Sequence, residues 1–165
     1  MTPSAVNTIE LPNDIFLGEV KRLIAEGKDA TLRVRGYSMR PFLEDRRDKI
    51  VLTRLARTPQ VGDAVLAEIA PGKYVYHRII RIENETVPLK GDGNVRGPEQ
   101  CHISHIVAAT KLLIRKDKPY SPDGKAWRCY SALWPRWPLA RRVLLAIHRR
   151  LPKTKTTNKN KIKQK

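Results

Sequence analysis

The chain is poor in cysteine and has no long apolar segment, and both absences limit what it can be. The two cysteines among its 165 residues, Cys101 and Cys129, form no Cys-x-x-Cys pair, so they supply no disulfide framework and no sign of an oxidising compartment. No run of about 18 apolar residues occurs, so no membrane-spanning helix is predicted. Residues 1–13 also lack the basic and apolar regions of a signal peptide, and we therefore expect a cytoplasmic protein.

A metal site is not predicted either, although three possible zinc ligands lie close together. Cys101, His102 and His105 fall within five residues. Adjacent residues of a strand point to opposite faces, and no fourth ligand is evident nearby. We expect no metal and no cofactor.

Acidic residues are scarce in the last third of the chain. Residues 1–110 carry 16 Lys and Arg against 14 Asp and Glu, whereas residues 111–165 carry 17 against 2. The first part therefore resembles a near-neutral globular domain. The second predicts an appendage for an anionic partner, either a membrane surface or nucleic acid.

The pattern of apolar residues predicts one helix followed by short strands. Asn13 is a good N-cap for a helix with apolar residues at helical spacing, and Gly27 is a suitable stop. Residues 31–35 alternate apolar and polar, as in a half-buried strand. Further strands are predicted at residues 48–55, 63–69, 74–82, 86–90 and 106–115. Regular short strands of this kind favour a mainly antiparallel sheet or barrel.

We accordingly divide the chain into an N-terminal helical segment, a β domain, a basic segment containing tryptophans, and a disordered Lys-rich tail. These cover residues 1–27, 28–115, 116–151 and 152–165. Within the third segment, residues 138–151 have an apolar stripe flanked by arginines, which predicts an amphipathic helix.

The tryptophan and arginine content of residues 127–151 suits a helix lying in the membrane interface. Trp127, Trp134 and Trp137 would lie at headgroup depth and the arginines on anionic lipid. The alternative is that the apolar stripe packs on the sheet and the arginines are solvated. Nucleic-acid binding ranks third, because no base-reading motif is visible. The sequence does not predict an oligomeric state.

Three residues have the chemistry of an acyl-transfer site. Ser38 follows the first predicted strand, His77 lies within a strand, and Asp92 comes shortly downstream. A serine hydroxyl needs a neighbouring base, and a neutral histidine can accept its proton and return it to the leaving amine. A carboxylate on the other ring nitrogen fixes the tautomer. We predict Ser38 as nucleophile, His77 as general base and Asp92 as the orienting acid.

Three residues around the serine are predicted to serve the substrate. Gly36 permits a tight turn that aims the Ser38 N–H at the developing oxyanion. Met39 would line the substrate cleft, and Pro41 would stiffen the turn. Each such residue alone is more often structural, so the prediction depends on their joint order and spacing.

Four ordered segments resemble the successive boxes of the type I signal peptidase superfamily, which also contains the self-cleaving domains of SOS-type repressors. They are GYSMRP (36–41), VGDAV (61–65), HRII (77–80) and KGDGN (90–94). The resemblance covers roughly residues 28–115. It implies a mainly β, antiparallel, partly barrel-like catalytic domain, here with an N-terminal helix and a C-terminal amphipathic helix.

The same resemblance bears on the catalytic base. Bacterial signal peptidases and the repressors usually have a lysine where this chain has His77. A histidine followed by Gly-Asp-x-Asn is similar to the endoplasmic-reticulum and archaeal branch, which implies a Ser-His-Asp arrangement. Lys73 and Lys90 are the alternatives, but a lysine base must be desolvated to bring its pKa toward neutrality.

The predicted function is a signal-peptidase-like serine endopeptidase that cleaves an extended leader or signal-type peptide of a preprotein. Signal peptidases of the family have a transmembrane anchor and the repressors have a helix-turn-helix, neither of which is predicted here. The basic segment would hold the enzyme peripherally on the cytosolic membrane face. The alternative is a non-catalytic peptidase-fold module that binds membrane or nucleic acid through the tail.

Overall fold

The computed structural model describes residues 13–94 and 97–133. The predicted helix at 138–151, the Lys-rich tail at 152–165, Trp134 and Trp137 all lie outside these ranges. Within them, neither α-helix is long and apolar enough to cross a membrane.

The predicted N-terminal helix is confirmed as α1, Asn13–Ala25. Its buried face places Val20 and Ile24 in the core. The helix ends where predicted, at Gly27, whose φ of 77° is the left-handed conformation that glycine adopts without strain. The Gly27 N–H donates to the Ile24 carbonyl over 3.0 Å, which satisfies one of the last helical acceptors.

The remaining elements form one antiparallel sheet and a second helix. The strands are β1 Ala30–Arg33, β2 Lys49–Thr53, β3 Ala64–Ala70, β4 Lys73–Ile79, β5 Thr86–Lys90, β6 Glu99–His102, β7 Ile106–Arg115 and β8 Lys118–Tyr120, and the helix is α2 Lys125–Leu133. The strand order is β1-β2-β7-β3-β4-β5-β6, with β8 paired to β7.

The mainly β, antiparallel prediction is confirmed, but the described sheet is open rather than partly barrel-like. β1 and β6 are the two ends of the strand order, and closure would require them to pair with each other. The sheet instead buries its two faces separately, in a larger core cluster that includes both helices and a smaller one around β4, β5 and β6.

Helix α2 belongs to the core, although the sequence analysis placed no helix in residues 116–137. Trp127 is 3% exposed and lies in the same cluster as Val20 of α1. The helix is only nine residues long and lies between Pro122 and Pro135, in a stretch whose proline content favours irregular structure. Within residues 116–133, β8 pairs with β7 and Trp127 of α2 packs in the larger core cluster.

Candidate active site

Ser38 lies in a tight turn that leaves β1. Gly36 has a φ of 85°, and its N–H donates to Asp45 Oδ1 over 2.8 Å. The backbone therefore reverses as predicted for Gly36, and the Ser38 side chain is left partly exposed.

Gly91 is the point at which Ser38 and His77 come together. A Cβ atom built on Gly91, just after β5, would lie 2.9 Å from Ser38 Cβ and 2.9 Å from His77 Nε2. The two side chains are therefore separated by no more than twice that distance. Any larger residue at this position would also meet the Ser38 carbonyl oxygen at 2.5 Å, so the close approach requires glycine.

The second glycine of the KGDGN segment fastens the same turn. The Gly93 N–H donates to the Ser38 carbonyl oxygen over 2.6 Å. A Cβ at Gly93 would lie 2.3 Å from the Tyr37 carbonyl oxygen. The backbone of residues 91–94 is thus packed directly on the serine turn, which explains both glycines of the motif.

His77 is buried on β4, with only 4% of its surface exposed. Burial lowers the pKa of His77, because it penalises the charged imidazolium, and the nearby charges of Glu99 and Asp92 offset this only in part. The ring is therefore mainly neutral at pH 7, the form in which a histidine accepts a proton.

The carboxylate that faces His77 is that of Glu99, a residue the sequence analysis did not select. Glu99 Oε2 lies 3.1 Å from His77 Nδ1, within ion-pair distance. The two atoms are out of line for a hydrogen bond, and each is buried without such a partner among the described residues. Strand pairing of Ile79 with Leu89 and of Leu89 with Glu99 places Glu99 on the same sheet face as His77.

Asp92 is close to the site but has a different partner from the one predicted. Its two carboxylate oxygens accept from Arg78 Nε and Nη2 over 2.8 and 2.7 Å, and Oδ2 also accepts from the Tyr130 hydroxyl over 2.9 Å. Arg78 is next to His77 on β4, so its side chain lies on the opposite face. The expected contact of Asp92 with the ring nitrogen is thus replaced by a buried Arg78–Asp92 ion pair.

The prediction that Met39 lines the substrate cleft is wrong. Met39 is 2% exposed and packs in the larger core cluster, so it does not line an open cleft. The cause is local: the Leu43 N–H donates to the Met39 carbonyl over 3.1 Å, which closes a tight turn in which Met39, Phe42 and Leu43 are all buried. Pro41 is partly exposed in this turn.

The two lysine alternatives are placed less favourably than His77. Lys73 is exposed at the start of β4. Lys90 pairs with Arg78 across β4 and β5, so it shares the sheet face of Arg78 rather than that of His77.

Trp127 also differs from its predicted role. It was expected at a membrane interface, but its ring is buried against Phe42, with ring centroids 4.9 Å apart. Trp127 is therefore part of the folded domain that holds the candidate site.

Comparison with protein-family models, characterised proteins and solved structures finds no match to this chain. The resemblance to signal peptidases therefore remains a prediction from motifs. We therefore infer the function from the arrangement of Ser38, His77 and Glu99.

Proposed function

We propose that the protein is a serine-type endopeptidase with Ser38 as nucleophile, His77 as general base and Glu99 as the acid that orients the imidazole. The observation that carries this proposal is the convergence of Ser38 Cβ and His77 Nε2 on one point beside Gly91, each 2.9 Å away. A serine needs such a base to become nucleophilic, and the burial of His77 favours its neutral form.

In the proposed reaction, His77 Nε2 takes the Ser38 hydroxyl proton while Oγ attacks the scissile carbonyl carbon. The tetrahedral intermediate collapses as His77 returns the proton to the leaving amine, which produces an acyl-enzyme and a free amino terminus. Water then attacks the ester carbonyl as His77 accepts its proton. The second tetrahedral intermediate collapses as His77 returns that proton to Ser38 Oγ, which breaks the ester bond and releases the new carboxyl terminus. Glu99 would align with Nδ1 as positive charge develops on the ring, because an apo site commonly tightens only along the reaction.

The substrate class proposed is an extended leader or signal-type peptide, consistent with the four ordered motifs. Such a segment binds by adding a strand beside the serine turn, where backbone hydrogen bonds give affinity and side-chain sites give selectivity. The signal-peptidase-like character of the enzyme is part of this proposal.

Labelling with a fluorophosphonate probe, followed by cleavage of a leader-peptide library, tests the reaction. We expect labelling and cleavage in the wild type and in Ser104→Ala, whose exposed hydroxyl lies outside the site. Both signals should disappear in Ser38→Ala and fall by about 10²–10⁴-fold in His77→Ala. Equal labelling of wild type and Ser38→Ala would leave a non-catalytic peptidase-fold module as the better description.

A peripheral membrane association is a second proposal, and the charge distribution favours it. Residues 111–165 hold 17 basic against 2 acidic side chains, which suits an anionic lipid surface. A truncation that tests it should end at Leu133, because an earlier stop would remove the α2 residues that pack in the core.

Flotation with anionic vesicles should carry the full chain upward and leave the 1–133 protein at the bottom, with phosphatidylcholine vesicles as the uncharged control. Equal flotation of both proteins would contradict this proposal. Retention of the full chain on nucleic acid but not on vesicles would favour the nucleic-acid alternative.

A further inference from the structure

Helix α2 contacts three of the chain segments that build the candidate site, namely the serine turn, β4 and the glycine segment 91–93. The residues involved, Trp127, Tyr130 and Ser131, are spaced i, i+3 and i+4 and so share one face of the helix. Cys129 lies outside this spacing and is exposed.

The first contact reaches the serine turn. Phe42 follows Ser38 by four residues, and its ring lies 4.9 Å from that of Trp127 and 5.0 Å from that of Tyr130. Because Phe42 is buried in the turn that directly follows the serine, these rings limit how far the turn can move.

The second contact reaches the histidine strand. Arg78 Nη1 donates to Ser131 Oγ over 2.6 Å, and its guanidinium lies 4.6 Å from the centre of the Trp127 ring. Arg78 is the neighbour of His77, so α2 holds the backbone of β4 from the face opposite the imidazole.

The third contact reaches the glycine segment. The Tyr130 hydroxyl donates to Asp92 Oδ2 over 2.9 Å. Asp92 stands between Gly91 and Gly93, the two positions at which the chain approaches the serine turn. The hydroxyl therefore fixes the segment that brings Ser38 and His77 together.

We propose that α2 is a clamp on the active site and that Tyr130 is its positioning residue, acting through Asp92 on the Gly91 approach. This inference rests on the proposed function for its catalytic consequence. The placement of His77 by α2 is a separate claim that can be measured without turnover.

The sharpest test replaces one hydroxyl. Tyr130→Phe keeps the ring that packs on Phe42 and removes the hydroxyl that donates to Asp92. Tyr120→Phe is the matched control, because Tyr120 also packs on Phe42, at 5.6 Å, without a hydrogen bond to Asp92. Two readouts are compared: the His77 ring signals in the NMR spectrum, and kcat and KM for a leader peptide.

We expect the His77 signals to move in Tyr130→Phe and kcat to fall about tenfold with KM within about twofold, while Tyr120→Phe leaves both unchanged. Unchanged signals and unchanged kcat in Tyr130→Phe would overturn the clamp. If the His77 signals move in Tyr130→Phe while the wild type never labels at Ser38, the peptidase is rejected and the clamp is kept.

If Tyr130→Phe fails to fold, Ser131→Ala tests the same inference through the contact of α2 with β4. This change removes the hydroxyl that accepts from Arg78 Nη1. The expected result is again a shift of the His77 signals with retained thermal stability. A Ser131→Ala protein with wild-type His77 signals and wild-type kcat would count against α2 as a positioning element.

Discussion

His77 and Arg78 are neighbours on β4, both are buried, and each faces a carboxylate, yet the two pairs are built differently. Arg78 and Asp92 form a bidentate ion pair, and the guanidinium also donates to the Gly62 carbonyl and Ser131 Oγ. His77 and Glu99 approach to 3.1 Å without hydrogen-bond alignment. The saturated pair has the character of a structural contact, whereas the unsaturated one leaves the His77 imidazole able to accept a proton during a reaction.

The largest effect is expected from removing the charge of Asp92. Asp92→Asn leaves the Arg78 guanidinium, which is 1% exposed, without its anion, so we expect a loss of about 3–5 kcal/mol in the free energy of unfolding. Urea titration measures it. The exposed Arg57–Asp63 pair is the control, since Asp63→Asn should cost about 1 kcal/mol or less. Equal losses in the two variants would mean that burial does not distinguish them.

The second change acts on the other pair. Glu99→Gln keeps the size of the side chain but removes the charge that faces His77, so we expect kcat to fall by about 10²–10³-fold while stability changes by under about 1 kcal/mol. Steady-state kinetics and urea titration together give both numbers. Full activity of Glu99→Gln would show that Glu99 does not orient the imidazole and would leave Asp92 as the candidate for that role.

The third change pushes the serine turn away from the glycine segment 91–93 instead of altering a charge. Gly91→Ala would place a methyl group against the Ser38 carbonyl oxygen and His77 Nε2, so we expect at least about a 100-fold loss of Ser38 labelling. Gly97→Ala is the control, because nothing lies within 4 Å of a Cβ there. Similar labelling of the two variants would show that the close approach at Gly91 is not needed.

The smallest expected effect is on pH dependence. Burial lowers the pKa of His77 below its ordinary value of 6.5, and the neutral ring is the base, so kcat/KM should rise with pH through a midpoint below 6.5. Removing the Glu99 charge, which raises the pKa of His77, should move that midpoint further down. NMR titration of His77 in Ser38→Ala checks both. A midpoint well above 7 would favour a lysine base.

The sequence predicted the elements whose signal is local. The bounds of β5 and β7 match the predicted 86–90 and 106–115, because each strand is bordered by turn residues or a short helical turn. Gly27 and Gly36 were predicted from the same kind of signal, and both have positive φ values.

What the sequence could not supply depends on pairing between distant strands. Glu99 faces His77 only because β6 pairs with β5 and β5 with β4, and a one-residue slip would turn it to the other face. Asp92 was assigned to His77 because proximity alone does not say which of two adjacent β4 residues, on opposite faces, takes the carboxylate. Helix α2 was missed because it is short and lies between Pro122 and Pro135, whose presence favours an irregular segment.

The two cysteines offer a practical consequence of the placement of α2. Cys129 is exposed on α2, the helix that contacts the serine turn, β4 and the glycine segment. Cys101, in contrast, is buried, and burial raises the pKa of its thiol. A maleimide dye should therefore attach to Cys129 without any engineered residue. A fluorophore at that position would report, in real time, whether the helix stays docked while a peptide is bound and released.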